Sequence, residues 1–336
     1  MNVWTLTGAN RLEKSETPVP ESVPGKIKVR VTKVMIGGAD VCLYNGSFKA
    51  KYPIVPGRFA VGLVADENGG ELFPKGARVL LHTFRPAPDT GTAKKDFGAD
   101  EVDVCGITRN GFLSDFVLLS PDEMTPLPDS VSDNDALLVH HVALAKAVVD
   151  RLDAQKGSHV AVVGGDRLGI LISLLLIYQQ VSPILIDNRP DRIAFAKKCG
   201  VYYSMLSDET LLDSVASITG GRLTEGAVYV INADGNDSSV PFLVSARDSS
   251  VVLCGLNRYS VSLNLETAIR KQIAVYGVSD ASDYLETAIN LIANKAVDLG
   301  AIRCNSQDVS EVEKVLEKYG SGVDYDFCEA NILNLV

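Results

Sequence analysis

The 336-residue sequence is short of basic charge: 32 Lys and Arg stand against 42 Asp and Glu, a formal net charge of −10. A surface of that sign does not displace counterions from a phosphate backbone, so a general nucleic-acid partner is excluded. No long block of one sign occurs either, which excludes an acidic tail. Cysteine is sparse, and Cys42, Cys105, Cys199, Cys254, Cys304 and Cys328 are scattered without one Cys-x-x-Cys pair. That pattern predicts reduced thiols rather than a disulfide framework. Long apolar runs are missing too. The most apolar stretch, Leu168 to Tyr178, falls far short of the ~20 residues a membrane-spanning helix requires. Met1-Asn2-Val3-Trp4 leads straight into polar sequence, without the basic segment and apolar stretch of a signal peptide. The expectation is a cytoplasmic protein with neither a membrane nor a nucleic-acid partner.

Core-forming material is plentiful, with 46% hydrophobic and 22% charged residues. The length, about twice that of a common domain, predicts two domains. The first third reads as β structure with turns. Ile27-Lys28-Val29-Arg30-Val31 alternates as a half-buried strand does, and further strands are expected at Phe59 to Ala65, Ala77 to Leu81 and Phe112 to Leu119. Pro and Gly punctuate these segments, and Arg85 to Asp103 reads as a long surface excursion. From Asp129 the pattern changes. N-capping residues at Ser132 to Asp135 precede a helix through Ala136 to Leu152. Strands at His159 to Val163, Ile184 to Asp187, Val228 to Asn232 and Val251 to Cys254 then alternate with helices at Leu168 to Gln180 and Asp191 to Cys199. This alternation predicts βαβ units in a doubly wound parallel sheet. Amphipathic helices at Tyr284 to Asn294 and Ser310 to Tyr319 close the chain.

Gly164-Gly165-Asp166-Arg167-Leu168-Gly169 lies between the strand ending at Val163 and the following helix. A dinucleotide fingerprint works only in that place, where a helix N-terminus offers backbone N–H groups to a pyrophosphate. Asp187 ends the next strand at about the distance expected of the acid that bonds the adenosine ribose. A carboxylate there selects NAD over NADP. The candidate cofactor residues are Gly164, Gly165, Arg167, Leu168, Gly169 and Asp187. Asp166 replaces the second fingerprint glycine, and a like charge beside phosphate costs about 1–3 kcal/mol before screening. Arg167 is placed to offset it. The alternative is a tight strand-to-helix turn that holds no nucleotide.

Five segments resemble the medium-chain dehydrogenase/reductase superfamily, in its zinc-type alcohol and polyol dehydrogenase branch. Val34-Met35-Ile36-Gly37-Gly38-Ala39-Asp40 is similar to that family's Cys-Gly-Ser/Thr-Asp turn. Pro56-Gly57-Arg58-Phe59-Ala60-Val61-Gly62 resembles its Gly-His-Glu-x-x-Gly motif. Phe73 to Val79, Gly111 to Phe116 and Pro126-Leu127-Pro128-Asp129 match its later segments in order. The resemblance implies a β-rich GroES-like catalytic domain, residues 1–135 with 296–336, interrupted by a Rossmann dinucleotide-binding domain, residues 136–295. It also implies a homodimer or homotetramer and a small-molecule substrate.

The departures bear on the chemistry. The family's catalytic zinc ligands correspond to Gly37, Arg58 and His140. Glycine offers no ligand, arginine has no lone pair for a metal, and one imidazole does not make a tetrahedral site. Only Cys105 remains of the four-cysteine lobe that holds a second zinc. The relay hydroxyl and imidazole are replaced by Ala39 and Cys42. The expectation is therefore a metal-free site, with NAD(H) as cofactor. Without a metal, a carbonyl or alkoxide must be polarised by hydrogen bonds or fixed charge. Arg58 is the candidate, either binding a substrate anion bidentately or pairing with a carboxylate such as Asp40. His140, beside His141, is the candidate acid/base and is otherwise a packing residue. Tyr44 is a candidate donor to an oxyanion or a partly buried aromatic, and Asp40 orients its neighbours. Two functions remain open: a zinc-independent NAD(H)-dependent oxidoreductase acting on a small alcohol, carbonyl or activated alkene, or a non-catalytic dinucleotide-sensing or partner-binding relative.

Overall fold

The computed structural model describes residues 1–48, 51–84, 104–231, 236–255, 262–279, 281–320 and 329–336. The expected excursion at Arg85 to Asp103 lies outside them, as do Cys328 and Asn232. The chain divides into two units, Met1–Leu138 with Cys304–Val336, and Val139–Arg303. The sequence-based boundaries at 135/136 and 295/296 stand slightly before these.

The first unit opens with an antiparallel hairpin of β1 (Asn2–Gly8) and β2 (Arg11–Glu16). There follow β3 (Ile27–Ile36), α1 (Gly38–Tyr44), β4 (Phe59–Val64), β5 (Arg78–Leu81), β6 (Phe116–Leu119), β7 (Met124–Pro126) and α2 (Asp133–Ala136). Alternation in β3 buries Ile27, Val29 and Val31 while Lys28 and Arg30 stay outside the core. β6 starts at Phe116, later than the Phe112 the sequence pattern suggests. The amides of Gly111, Phe112 and Leu113 instead donate to the carbonyls of Val55, Gly57 and Pro56 at 2.7, 2.8 and 3.0 Å. That segment is therefore a loop laid on the Pro56-Gly57 turn.

The second unit begins with α3 (Val139–Leu152). The single helix expected from Ala136 is broken. Leu137 and Leu138 form a turn, their amides donating to the Asp133 and Asp135 carbonyls, and the division between units falls there. β8 (His159–Val163), α4 (Arg167–Tyr178), β9 (Ser182–Asp187), α5 (Pro190–Lys198), β10 (Tyr203–Leu206), α6 (Leu211–Ile218), β11 (Thr224–Val230), α7 (Val240–Val244), β12 (Ser245–Cys254), α8 (Leu265–Lys271), β13 (Ala274–Val278) and α9 (Leu285–Ala293) complete it. The strands run β10-β9-β8-β11-β12-β13, every neighbour parallel. Numbered within the unit, this is the order 3-2-1-4-5-6 of a Rossmann sheet. β8 reads as unbroken hydrophobic sequence because Val160, Ala161, Val162 and Val163 are all buried, as in a sheet covered on both faces.

The chain then returns to the first unit through β14 (Arg303–Asp308), α10 (Val312–Gly320) and β15 (Glu329–Asn334). These complete a seven-stranded sheet of order β14-β15-β3-β4-β5-β7, with β6 on β3. Val312, Val315, Leu316 and Tyr319 recur at helical spacing and enter the core that contains Leu43 and Tyr44 of α1. Burying each such side chain contributes roughly 1.5–3 kcal/mol. Among the described residues no helix is long and apolar enough to cross a membrane.

Candidate active site

The strand order reverses between β8 and β11, and the glycine turn follows β8 at that reversal. Open α/β sheets bind their ligands outside the carboxyl ends of strands at such a switch point. Gly164 has φ +114°, a conformation side chains rarely adopt, and the turn depends on it. A Cβ on Gly169 would fall 1.8 Å from the Gly164 carbonyl oxygen, so only glycine lets α4 lie this close to β8. The backbone thus requires glycine at Gly164 and Gly169, the first and third positions of the expected fingerprint.

Asp166 is the N-cap of α4, and its Oδ1 accepts the Gly169 N–H at 3.0 Å. The chain's own carboxylate therefore sits at the helix end that would receive a pyrophosphate. Burial, the largest influence, pushes this carboxyl above its ordinary range and nearby Asp187 adds to that; the Gly169 amide, Arg192 and Arg167 pull the other way. Arg167 and Leu168, two of the six residues expected at the cofactor, are both buried in the first turn of α4.

Asp187 ends β9 fully buried. One oxygen accepts the Gly165 N–H at 2.6 Å, Asn236 Nδ2 at 3.2 Å and the Arg192 guanidinium at 3.4 Å; the other accepts the Arg189 N–H at 2.9 Å. The residue expected to meet ribose is thus bound first of all to its own protein. Sequence reasoning missed Arg192 and Asn236 here. Arg192 lies one helical turn before buried Ala196 on the inner face of α5, and that spacing is the signal that could have found it.

In the first unit, Gly57 takes φ +93° ahead of β4, and a Cβ there would fall 2.9 Å from Val34. Asp40, the third residue of α1, is fully buried. Its two oxygens accept the Gly37 N–H at 2.9 Å and the Gly57 N–H at 2.8 Å. Burial is the leading influence on it and raises its proton affinity; the two amides and Arg58 oppose that.

Arg58 is only 6% exposed. The pairing with Asp40 that the sequence left open is not made as a hydrogen bond; each Asp40 oxygen accepts a backbone amide instead. The Arg58 guanidinium lies over the Phe59 ring, 5.2 Å from its centroid, and its Nε is buried with no acceptor among the described residues. Gly106 and Thr83 border it, a Cβ on Gly106 coming within 3.2 Å of Arg58 Cγ and the Thr83 hydroxyl donating to the Arg58 carbonyl. Burial pulls the guanidinium below its usual range, while Asp40 and then Cys105 oppose this.

The remaining expected residues divide. His140 lies half-buried at the start of α3 beside half-buried His141. Tyr44 is buried in the first unit's core, and burial followed by Glu317 and Glu313 of α10 pushes its phenol upward. Those surroundings support the packing role for Tyr44 rather than that of an oxyanion donor. Cys199 and Cys254 are free thiols. At the first zinc-ligand position, a side chain on Gly37 would meet the Phe59 ring at 3.2 Å, and Arg58 brings a cation to the second. Among the described residues no three His, Cys, Asp or Glu are grouped to hold a metal ion. This donor set does not fit the family's zinc.

Residues 23–129 match the family described as the alcohol dehydrogenase GroES-like domain. A zinc-type alcohol dehydrogenase-like protein of Haemophilus influenzae is 21% identical over 305 residues, covering 88% of each chain. A sorbitol dehydrogenase of Halalkalibacterium halodurans is 24% identical, covering 90% of this chain and 91% of its own. Among solved structures, an Escherichia coli short chain alcohol dehydrogenase complexed with NADH superposes with TM-score 0.87 at 18% identity, over 100% of this chain and 99% of its own. Residues 23–129 thus carry an alcohol dehydrogenase GroES-like domain, the second unit has the strand order of a Rossmann sheet, and over most of its length the chain is similar to alcohol and polyol dehydrogenases.

Proposed function

We propose that the protein is a nicotinamide-dependent oxidoreductase that works without catalytic zinc, on a small alcohol, carbonyl or activated alkene. The observation that carries the reading is the Gly164-to-Gly169 turn at the switch point of the parallel sheet. The dehydrogenase relatives and the NADH held by a structural neighbour support the same class. Gly164, Gly165, Arg167, Leu168 and Gly169 would hold the dinucleotide. Asp187 repels a 2′-phosphate and favours NAD(H). When bound, the nicotinamide supplies or accepts a hydride.

The chain's own residues contribute charge and proton transfer. In the oxidising direction a hydride leaves the carbinol carbon with both bonding electrons, and the hydroxyl proton leaves separately. His140 accepts that proton and returns it in the reverse reaction. Arg58 supplies fixed positive charge for negative charge on the substrate, in the role a metal would otherwise fill. Asp40 positions Arg58 by anchoring the Gly57 amide immediately before it. A homodimer or homotetramer in the cytoplasm belongs to the same proposal. β13 is the end strand of the parallel sheet, and light scattering of a monomer at micromolar concentration would overturn that part.

Asp166 favours a second reading, a relative that senses the dinucleotide without turning over. NADH fluorescence titration followed by turnover assays with alcohols, aldehydes and enones separates the two. The proposal expects saturable binding and turnover; binding without turnover gives the sensor, and no binding overturns both.

A further inference from the structure

We propose that Arg58 binds a carboxylate, and that the substrate is a small organic acid held by this residue; the substrate half of the proposal rests on the oxidoreductase reading. A guanidinium carries five N–H donors in one plane and cannot shed its charge. Each donor withdrawn from water needs an acceptor, and a charged group left without one is strongly disfavoured. Arg58 is withdrawn, at 6% exposed, yet its Nε has no acceptor among the described residues. Asp40, the carboxylate that draws on it electrostatically among the described residues, holds a backbone amide on each oxygen and makes no hydrogen bond to it.

A carboxylate supplies two coplanar oxygens that match one edge of the guanidinium, which is the geometry of a bidentate pair. The surroundings narrow the class further. Phe59 covers one face of the guanidinium at 5.2 Å and Gly106 packs against the Arg58 stem, so approach is through an edge of the guanidinium. One buried cation, already drawn on by Asp40, offsets no more than a single negative charge. A monoanion fits that balance and a phosphate dianion does not.

The test is calorimetric titration at constant ionic strength, with glycolate matched against ethylene glycol and gluconate against sorbitol. Wild type, Arg58→Gln, Arg58→Lys and Arg58→Met are compared, with folding checked by circular dichroism. The Met variant keeps the volume and removes the buried charge, so it secures a folded control. The proposal expects saturable binding of at least one carboxylate, at least tenfold weaker in the Gln and Met variants and intermediate in Lys, with no binding of the neutral partner. Equal affinity in wild type and variants, absence of carboxylate binding, or preference for the neutral partner or inorganic phosphate would overturn it. NADH titration of the same proteins keeps the two proposals apart. If NADH fails to bind while carboxylate binding follows Arg58, the oxidoreductase reading falls and the carboxylate site stands.

Discussion

Asp40 and Gly57 are joined across the first unit by one hydrogen bond, the Gly57 amide donating to the Asp40 carboxylate at 2.8 Å. The other oxygen of the same carboxylate holds Gly37. One buried side chain thus fixes the segment entering α1 and the turn that delivers Arg58. Asp40→Ala strands two buried N–H groups and is expected to cost about 2–4 kcal/mol in urea denaturation. Burial raises the Asp40 carboxyl above its ordinary value of 3.8, so the folded chain binds this proton more tightly than the unfolded one. Its contribution to stability therefore falls as pH rises from 3.8 towards the raised value, and Asp40→Asn removes that slope.

Glu123 shows the opposite sign. Burial alone would raise its carboxyl, but the Ser120 amide, Arg109 and Lys26 prevail and hold it at about 2 instead of 4.5. The stabilisation is on the order of 3 kcal/mol, fully present above pH 4.5 and lost as pH falls towards 2. Glu123→Gln is expected to be less stable at pH 7 and to show a flatter acid limb; an unchanged limb would contradict this assignment.

Asp166→Gly tests where the pyrophosphate passes. The variant exchanges an N-cap carboxylate for glycine at a cost of a few tenths of a kcal/mol in stability. Removing the like charge is expected to strengthen NADH binding about tenfold, read by fluorescence titration. Unchanged affinity would remove the pyrophosphate from this turn.

Asp187→Ala removes the carboxylate that accepts from the buried Arg192 guanidinium, the Gly165 and Arg189 amides and the Asn236 side chain. A loss of about 3–5 kcal/mol is expected. A ribose contact alone would leave the stability of the cofactor-free protein untouched, so denaturation of that form distinguishes the two roles.

The parallel sheet was legible in the sequence because its central strands each carry an apolar run between helices, Val160 to Val163 in β8 above all. The Gly164 turn was legible for the same reason: glycine spacing and the flanking pattern agree. The Arg58 surroundings were only partly legible. Its position follows from the motif, but the commitment of Asp40 to two amides depends on a turn and a helix end meeting in space, and no local pattern encodes that. Arg192 and Asn236 escaped notice because their partner, Asp187, lies 5 and 49 positions away and meets them only through the fold. Tyr44 was ambiguous because its core partners on α10 lie far along the chain.

In the proposed oxidoreductase, positive charge at Arg58 does the work that a metal ion does in zinc-type dehydrogenases. Turnover with NADH should be measured on protein dialysed against chelator and shown by elemental analysis to be free of metal. The account predicts a rate within twofold of the untreated enzyme. A rate that collapses on chelation and returns with stoichiometric zinc would contradict it.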